Sequence, residues 1–249
     1  MARTLITGAS GGLGKALAAH LYAQGWELAL ATRAPEALKE QAASWGAVLI
    51  HADVSTPEGA QHAVTEASGA DGPPHALAHC AGSRLIKPLH RTNTAAYRDC
   101  LAANLDSAFF TLQAWVAELR RAGGEGAAVL VSSTVARAGV PNHEAVAAAK
   151  AAVEGLARSA AATYARDGIR INAVAPGLLR GPATEPMFRS PEAERSIAEQ
   201  YPLGRYGTPA DAAAAMAWLL SEEAGWITGQ VLAVDGGFAD LRTPGGRTR

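Results

Sequence analysis

The chain has 249 residues, 49% of them apolar, enough for one large α/β unit with a sizeable core. Its 22 basic and 23 acidic residues leave a formal charge of -1 and form no long run of either sign. That balance argues against nucleic acid or an acidic membrane surface as partner and leaves a small molecule. No stretch approaches the roughly 18 uninterrupted apolar residues of a membrane span, and the first residues enter a strand pattern without a signal-peptide form. The two cysteines, Cys80 and Cys100, fall in different elements and suit reduced thiols, so the expectation is a cytoplasmic protein.

Seven short apolar runs alternate with alanine-rich helical stretches: RTLIT from 3, WELALA from 26, AVLIH from 47, HALAHC from 75, AAVLVSS from 127, IRINAVA from 169 and QVLAVD from 230. Near-continuous apolar character predicts strands buried on both faces. Leu13, Leu17 and Leu21 recur at helical spacing after the first run. The fold class expected is therefore α/β: a single-domain Rossmann-type doubly wound parallel sheet of about seven strands over 1–249, with helices on both faces. Loops are expected at Asp71-Gly-Pro-Pro and Gly123-Gly-Glu-Gly, a substrate loop at 178–208, and a flexible polar tail at 241–249.

The turn between the first strand and first helix, TGASGGLG, carries Gly8, Ser10, Gly12, Leu13 and Gly14. Glycines there let the backbone approach a pyrophosphate, and the helix amino terminus offers free N–H groups. A glycine trio alone is weak, and a plain flexible turn is the bland alternative; strand and helix on either side favour nucleotide binding. The second strand ends at Thr32 and Arg33, where a dinucleotide's adenosine ribose is read. An arginine in place of an acidic residue favours NADP over NAD, unless Arg33 is simply a solvated loop residue. Asp53, followed by Val54 at the end of the third strand, suits the adenine amino group or a loop-capping role.

These residues, with Ala81 and Gly82 after the fourth strand, Asn104, Ser133, Lys150, RINAVAPG ending in Pro176 and Gly177, and VDGG at 234–237, resemble the short-chain dehydrogenase/reductase family along the whole chain. The resemblance implies a Rossmann-type subunit, NAD or NADP, hydride transfer between an alcohol and a carbonyl, and a homotetramer or homodimer. Three family positions depart from the pattern. The catalytic tyrosine, four residues before the lysine and thirteen after the serine, is Val146; the threonine that holds the nicotinamide carboxamide aligns with Gly181, with Thr184 nearby; and Asn-Asn-Ala-Gly is His79-Cys80-Ala81-Gly82.

Valine cannot donate a proton, and a missing general acid typically costs ~10²–10⁴-fold in rate. His143 is one substitute, three residues before Val146 and seven before Lys150 on one helical stripe, with Asn142 as the expected N-cap. A water held by Ser133, Lys150 and the Asn104 helix is another; Glu144 should point away. Lys150 retains a role on the nicotinamide ribose, and Ser133 either donates to a substrate oxygen or caps the next loop. His75 and His79 share a face of the fourth strand, yet nothing completes a metal set, so no metal is predicted. Trp115, Trp218 and Trp226 suit core or subunit contacts. Met187, Phe188 and Tyr201 in the substrate loop suggest a mixed pocket for a small carbonyl or alcohol substrate of unspecified class. The competing readings are a silent coenzyme-binding or regulatory protein and a lyase or isomerase.

Overall fold

Each of the seven apolar runs forms a strand in the computed structural model, which describes residues 2–69 and 72–242. They are β1 (Arg3–Thr7), β2 (Glu27–Thr32), β3 (Val48–His51), β4 (Ala76–His79), β5 (Gly126–Val131), β6 (Ile169–Pro176) and β7 (Val231–Val234). All pair in parallel, in the order β3-β2-β1-β4-β5-β6-β7. The helices are α1 (Gly12–Ala23), α2 (Lys39–Trp45), α3 (Pro57–Ala67), α4 (Thr94–Leu101), α5 (Ser107–Arg121), α6 (Glu144–Tyr164), α7 (Pro191–Ala198) and α8 (Pro209–Leu220). This is the doubly wound Rossmann architecture.

Strand alternation divides the core into two layers. Leu5, Leu77, Leu130 and Ile171 bury one face beneath α3, α5 and α6, where Trp115 is fully buried and its indole N–H reaches the Pro74 carbonyl. Ile6, Leu30, Val129 and Val174 bury the other beneath α1, α2 and α8. Helix starts are written locally. Thr56 accepts from the Gly59 N–H ahead of Pro57 in α3, and Thr208 and Asp211 form a capping box around Pro209 in α8. Among the described residues no helix is long and apolar enough to cross a membrane.

Several expectations need correction. Asn142 does not cap α6: it takes a left-handed conformation (φ 64°) with its carbonyl accepting from Lys87 N–H, and His143 stands at the cap position. His75 and His79 do not share a strand face, because His75 precedes β4 and is exposed while His79 is buried. Residues 178–208, where a substrate loop is expected, carry a short helical turn (Glu185–Met187) and α7, drawn together by Arg180. The Arg180 guanidinium bonds Glu185 and Glu194 and lies 4.9 Å from the Phe188 ring centroid. Phe188 is buried against Tyr206 and so holds this segment together, while Tyr201 is buried against Phe238 and lines a cavity with Gly177 and Asp235. Of the expected tail, 243–249 lies outside the described residues.

Candidate active site

Strand order reverses between β1 and β4, and a groove of about 270 Å³ opens at their carboxyl ends. Gly8, Ser10, Thr32, Arg33, Asp53, Val54, Ala81 and Gly82 line it together. So do Gly11, Ala103 and Ser107, which the glycine spacing does not indicate; Ala103 and Ser107 are one helical turn apart beside Asn104. Gly8 has φ 64°, and a Cβ there would meet Ala81 N at 2.6 Å, so β1 and β4 leave the sheet in direct backbone contact. Gly12, Leu13 and Gly14 lie just inside α1: a Cβ on Gly14 would meet the Gly8 carbonyl at 2.5 Å, which makes it a helix-to-turn packing position. Gly11 caps α1 without a side-chain bond, which leaves the first-turn N–H groups to an anion. This cradle of small residues at a helix amino terminus fits the pyrophosphate and adenosine of a dinucleotide.

At the adenosine end, Ser10 Oγ and Thr32 Oγ1 are 2.6 Å apart, and Thr32 also accepts from Ala34 N–H. Thr32 is thereby committed to the strand end, while the Arg33 side chain is 71% exposed. Asp53 Oδ1 accepts from Ser55 N–H and Oγ–H, which holds its carboxyl below the usual range. Its Oδ2 stands 3.9 Å from Arg33 Nη1, a weak exposed pair that a phosphate can compete for. Asp53 thus fills the loop-capping role with Oδ1, while Oδ2 faces Arg33 at the groove wall.

Lys150 lies on α6, 6% exposed, and its Nζ donates to the Val131 carbonyl at 2.7 Å. Burial lowers its pKa to about 8, opposed by the Cys80 and Cys100 thiols nearby. The same burial pushes the Cys80 thiol up to about 12 and raises Cys100, so neither is an easy proton source. Asn104 sits in a π-helical turn, Ala102–Asp106, between α4 and α5. Its Nδ2 donates to the Ser83 and Cys100 carbonyls, and its Oδ1 accepts from Ser83 N–H. A Cβ on Gly82 would stand 2.9 Å from Asn104 Oδ1 and 3.4 Å from Lys150 Nζ, so both side chains converge on the floor of the groove.

Val146, one turn before Lys150, is 7% exposed and brings no polar atom. Ser133 follows β5; its Oγ accepts a long bond (3.4 Å) from Val135 N–H, which leaves its hydroxyl proton uncommitted. His143 is half-buried, with Nδ1 2.8 Å from the Pro141 carbonyl. A carbonyl only accepts, so Nδ1 carries a proton and Nε2 has one to give only in the imidazolium. Glu144 is exposed. Pro176 ends β6, and Gly177 packs on the Tyr201 ring. Thr184 does return to position 181: its Oγ1 accepts from Gly181 N–H at 3.0 Å and donates to the Leu179 carbonyl at 2.7 Å. Sequence spacing gave no sign of Glu154, buried one turn beyond Lys150 and bonded to Ser132 and Arg137.

A sequence profile described as enoyl-(acyl carrier protein) reductase matches residues 8–239. The chain belongs to the short-chain dehydrogenase/reductase family. This short-chain member is 32% identical to the 2,5-dichloro-2,5-cyclohexadiene-1,4-diol dehydrogenase of Sphingobium indicum, over 95% of this chain and 96% of that protein. It is 37% identical to the inactive 2-(S)-hydroxypropyl-CoM dehydrogenase 2 of Xanthobacter autotrophicus, over 80% of this chain and 87% of the relative. In structure it resembles ElxO with NADP bound (TM-score 0.90, 28% identity, 96% of this chain and 99% of that one).

Proposed function

We propose that this short-chain family member is an NADP(H)-dependent oxidoreductase that interconverts a small carbonyl and its alcohol with an altered proton relay. One observation carries the reading: Lys150 Nζ and Asn104 Oδ1 converge on Gly82 at the floor of the groove, although position 146 holds no acid. When bound, the coenzyme supplies or accepts hydride; the chain's own residues bind, orient and handle the proton. Gly8, Gly12 and Gly14 shape the phosphate turn, and Asp53, Val54 and Ala81 wall the adenosine. Pro176 and Gly177 bound the nicotinamide end, and Lys150 holds the ribose hydroxyls. Ser133 Oγ–H donates to the substrate oxygen. The proton comes from the His143 imidazolium or through water ordered by Ser133 and Lys150. Exposed Arg33 and the likeness to an NADP-bound structure support NADP over NAD.

In this reading residues 1–249 form one catalytic domain of a cytoplasmic homotetramer or homodimer. The free cysteines agree with that location, and the apolar side chains exposed on α8 and β7, Trp218 and Leu232, suit subunit contact. A second reading, a silent NADP-binding protein, is favoured by Val146 and by the likeness to a relative named as inactive. Coenzyme titration tests the binding half. Arg33→Ala should weaken NADPH by about 10–100-fold, the value of losing charged hydrogen bonds, with NADH little changed. Equal loss for both coenzymes removes the NADP assignment. His143→Ala should lower turnover with NADPH affinity intact if the imidazolium is the donor; unchanged turnover leaves the water route.

A further inference from the structure

His79, the last residue of β4, is 1% exposed and touches two hydroxyls. Its Nδ1 is 2.9 Å from Thr7 Oγ1 at the end of β1, and its Nε2 is 3.1 Å from Ser107 Oγ at the start of α5. Ser107 Oγ is in turn 2.8 Å from the Ala103 carbonyl, inside the π-helical turn. Every proton in this chain can be assigned. The Ala103 carbonyl only accepts, so the Ser107 hydroxyl donates to it and must accept from the imidazole Nε2–H. A neutral ring then has a bare Nδ1, which accepts from the Thr7 hydroxyl. Burial and the nearby Lys150 cation keep the ring neutral, with its pKa lowered to about 3.

We propose that His79 is a positioning residue: it ties the π-helical turn that carries Asn104 to the ends of β1 and β4 beneath the coenzyme groove. A wide turn forfeits regular helical hydrogen bonds and needs outside support to keep one geometry. The support reaches Ala103, immediately before Asn104, through Ser107, and both Ala103 and Ser107 line the groove. His79 touches neither coenzyme position nor Lys150 by hydrogen bond; it acts through the turn. Its meaning for turnover rests on the oxidoreductase reading, whereas its hold on Asn104 does not.

The side chains of glutamine and asparagine separate the two halves of this link. A glutamine tip reaches the place of Nε2 and keeps the Ser107 contact; an asparagine tip reaches only the place of Nδ1 and keeps the Thr7 contact. The experiment compares the natural chain with His79→Gln, His79→Asn and His79→Phe, reading the Asn104 side-chain amide and His79 ring ¹⁵N resonances, NADPH affinity and thermal stability. The natural ring should show the Nε2–H tautomer without titrating between about pH 5 and 9. His79→Gln should keep the Asn104 signals and bind NADPH within about threefold of the natural chain. His79→Asn and His79→Phe should shift those signals and weaken NADPH about tenfold, although the Gln and Asn variants lose similar stability. An Nδ1–H tautomer, a titrating ring, or Gln and Asn variants that fall together overturn the proposal. Failure of the natural chain to bind NADPH overturns the functional reading instead, and the ring and amide signals still decide His79.

Discussion

Lys150 is an ammonium kept in a nearly dry site with, among the described residues, one carbonyl to bond, a state that costs free energy unless an incoming group shares the charge. Its folded pKa of about 8 lies below the 10.5 of the free side chain. Between those values the unfolded chain binds more protons, so this lysine's contribution to stability improves as pH rises through the window. Coenzyme binding should move the opposite way. As the ammonium is lost above about pH 8, NADPH should bind more weakly, and Lys150→Met should abolish that pH-dependent limb in a fluorescence titration; an identical limb in the variant would remove Lys150 as its source. That Arg33 and Asp53 share one groove wall was legible from their places at the ends of two strands. Asn142 was not: its left-handed φ answers to a bond from Lys87 N–H, a contact 55 residues away that no local pattern encodes.

The elements divide in the same way. β1 and α1 follow from RTLIT and the leucine spacing, and Gly8 between them has a single workable size. A Cβ there would stand 2.6 Å from Ala81 N on a positive-φ backbone, so Gly8→Ala should cost about 2 kcal/mol or more and weaken NADPH. Thermal unfolding measures this, and an unchanged midpoint would show that β1 and β4 separate more easily than their contact implies. The π-helical turn was invisible in AANLD, which reads as ordinary helix; its Asn104 side chain bonds to Ser83, and Ser107 beside it meets His79, contacts from distant segments that no local pattern encodes. The segment 178–208 was legible as a break rich in proline and charge. Its organisation around Arg180 was not, because it depends on Glu185, Glu194 and Tyr206 meeting only after the chain folds back.

For the molecule as a whole, the seven-strand order puts a groove at the switch point and brings Asn104, Ser133 and Lys150 from three separate elements to the carboxyl-terminal side of the sheet. Motif order made that arrangement readable from the sequence. The same arrangement isolates the functional question at Val146, where the family resemblance implies a tyrosine and the proposed oxidoreductase therefore needs another proton source. A missing general acid lowers a rate by ~10²–10⁴ without removing alignment of the reactants. The most direct test is NADPH oxidation over a panel of ketones, aldehydes and quinones by the natural chain beside Val146→Tyr. Slow but measurable turnover by the natural chain, raised about 10²-fold or more in Val146→Tyr, is the result expected. A silent natural chain that binds NADPH, beside an active Val146→Tyr, would contradict the account and identify a coenzyme-binding protein that has lost its acid.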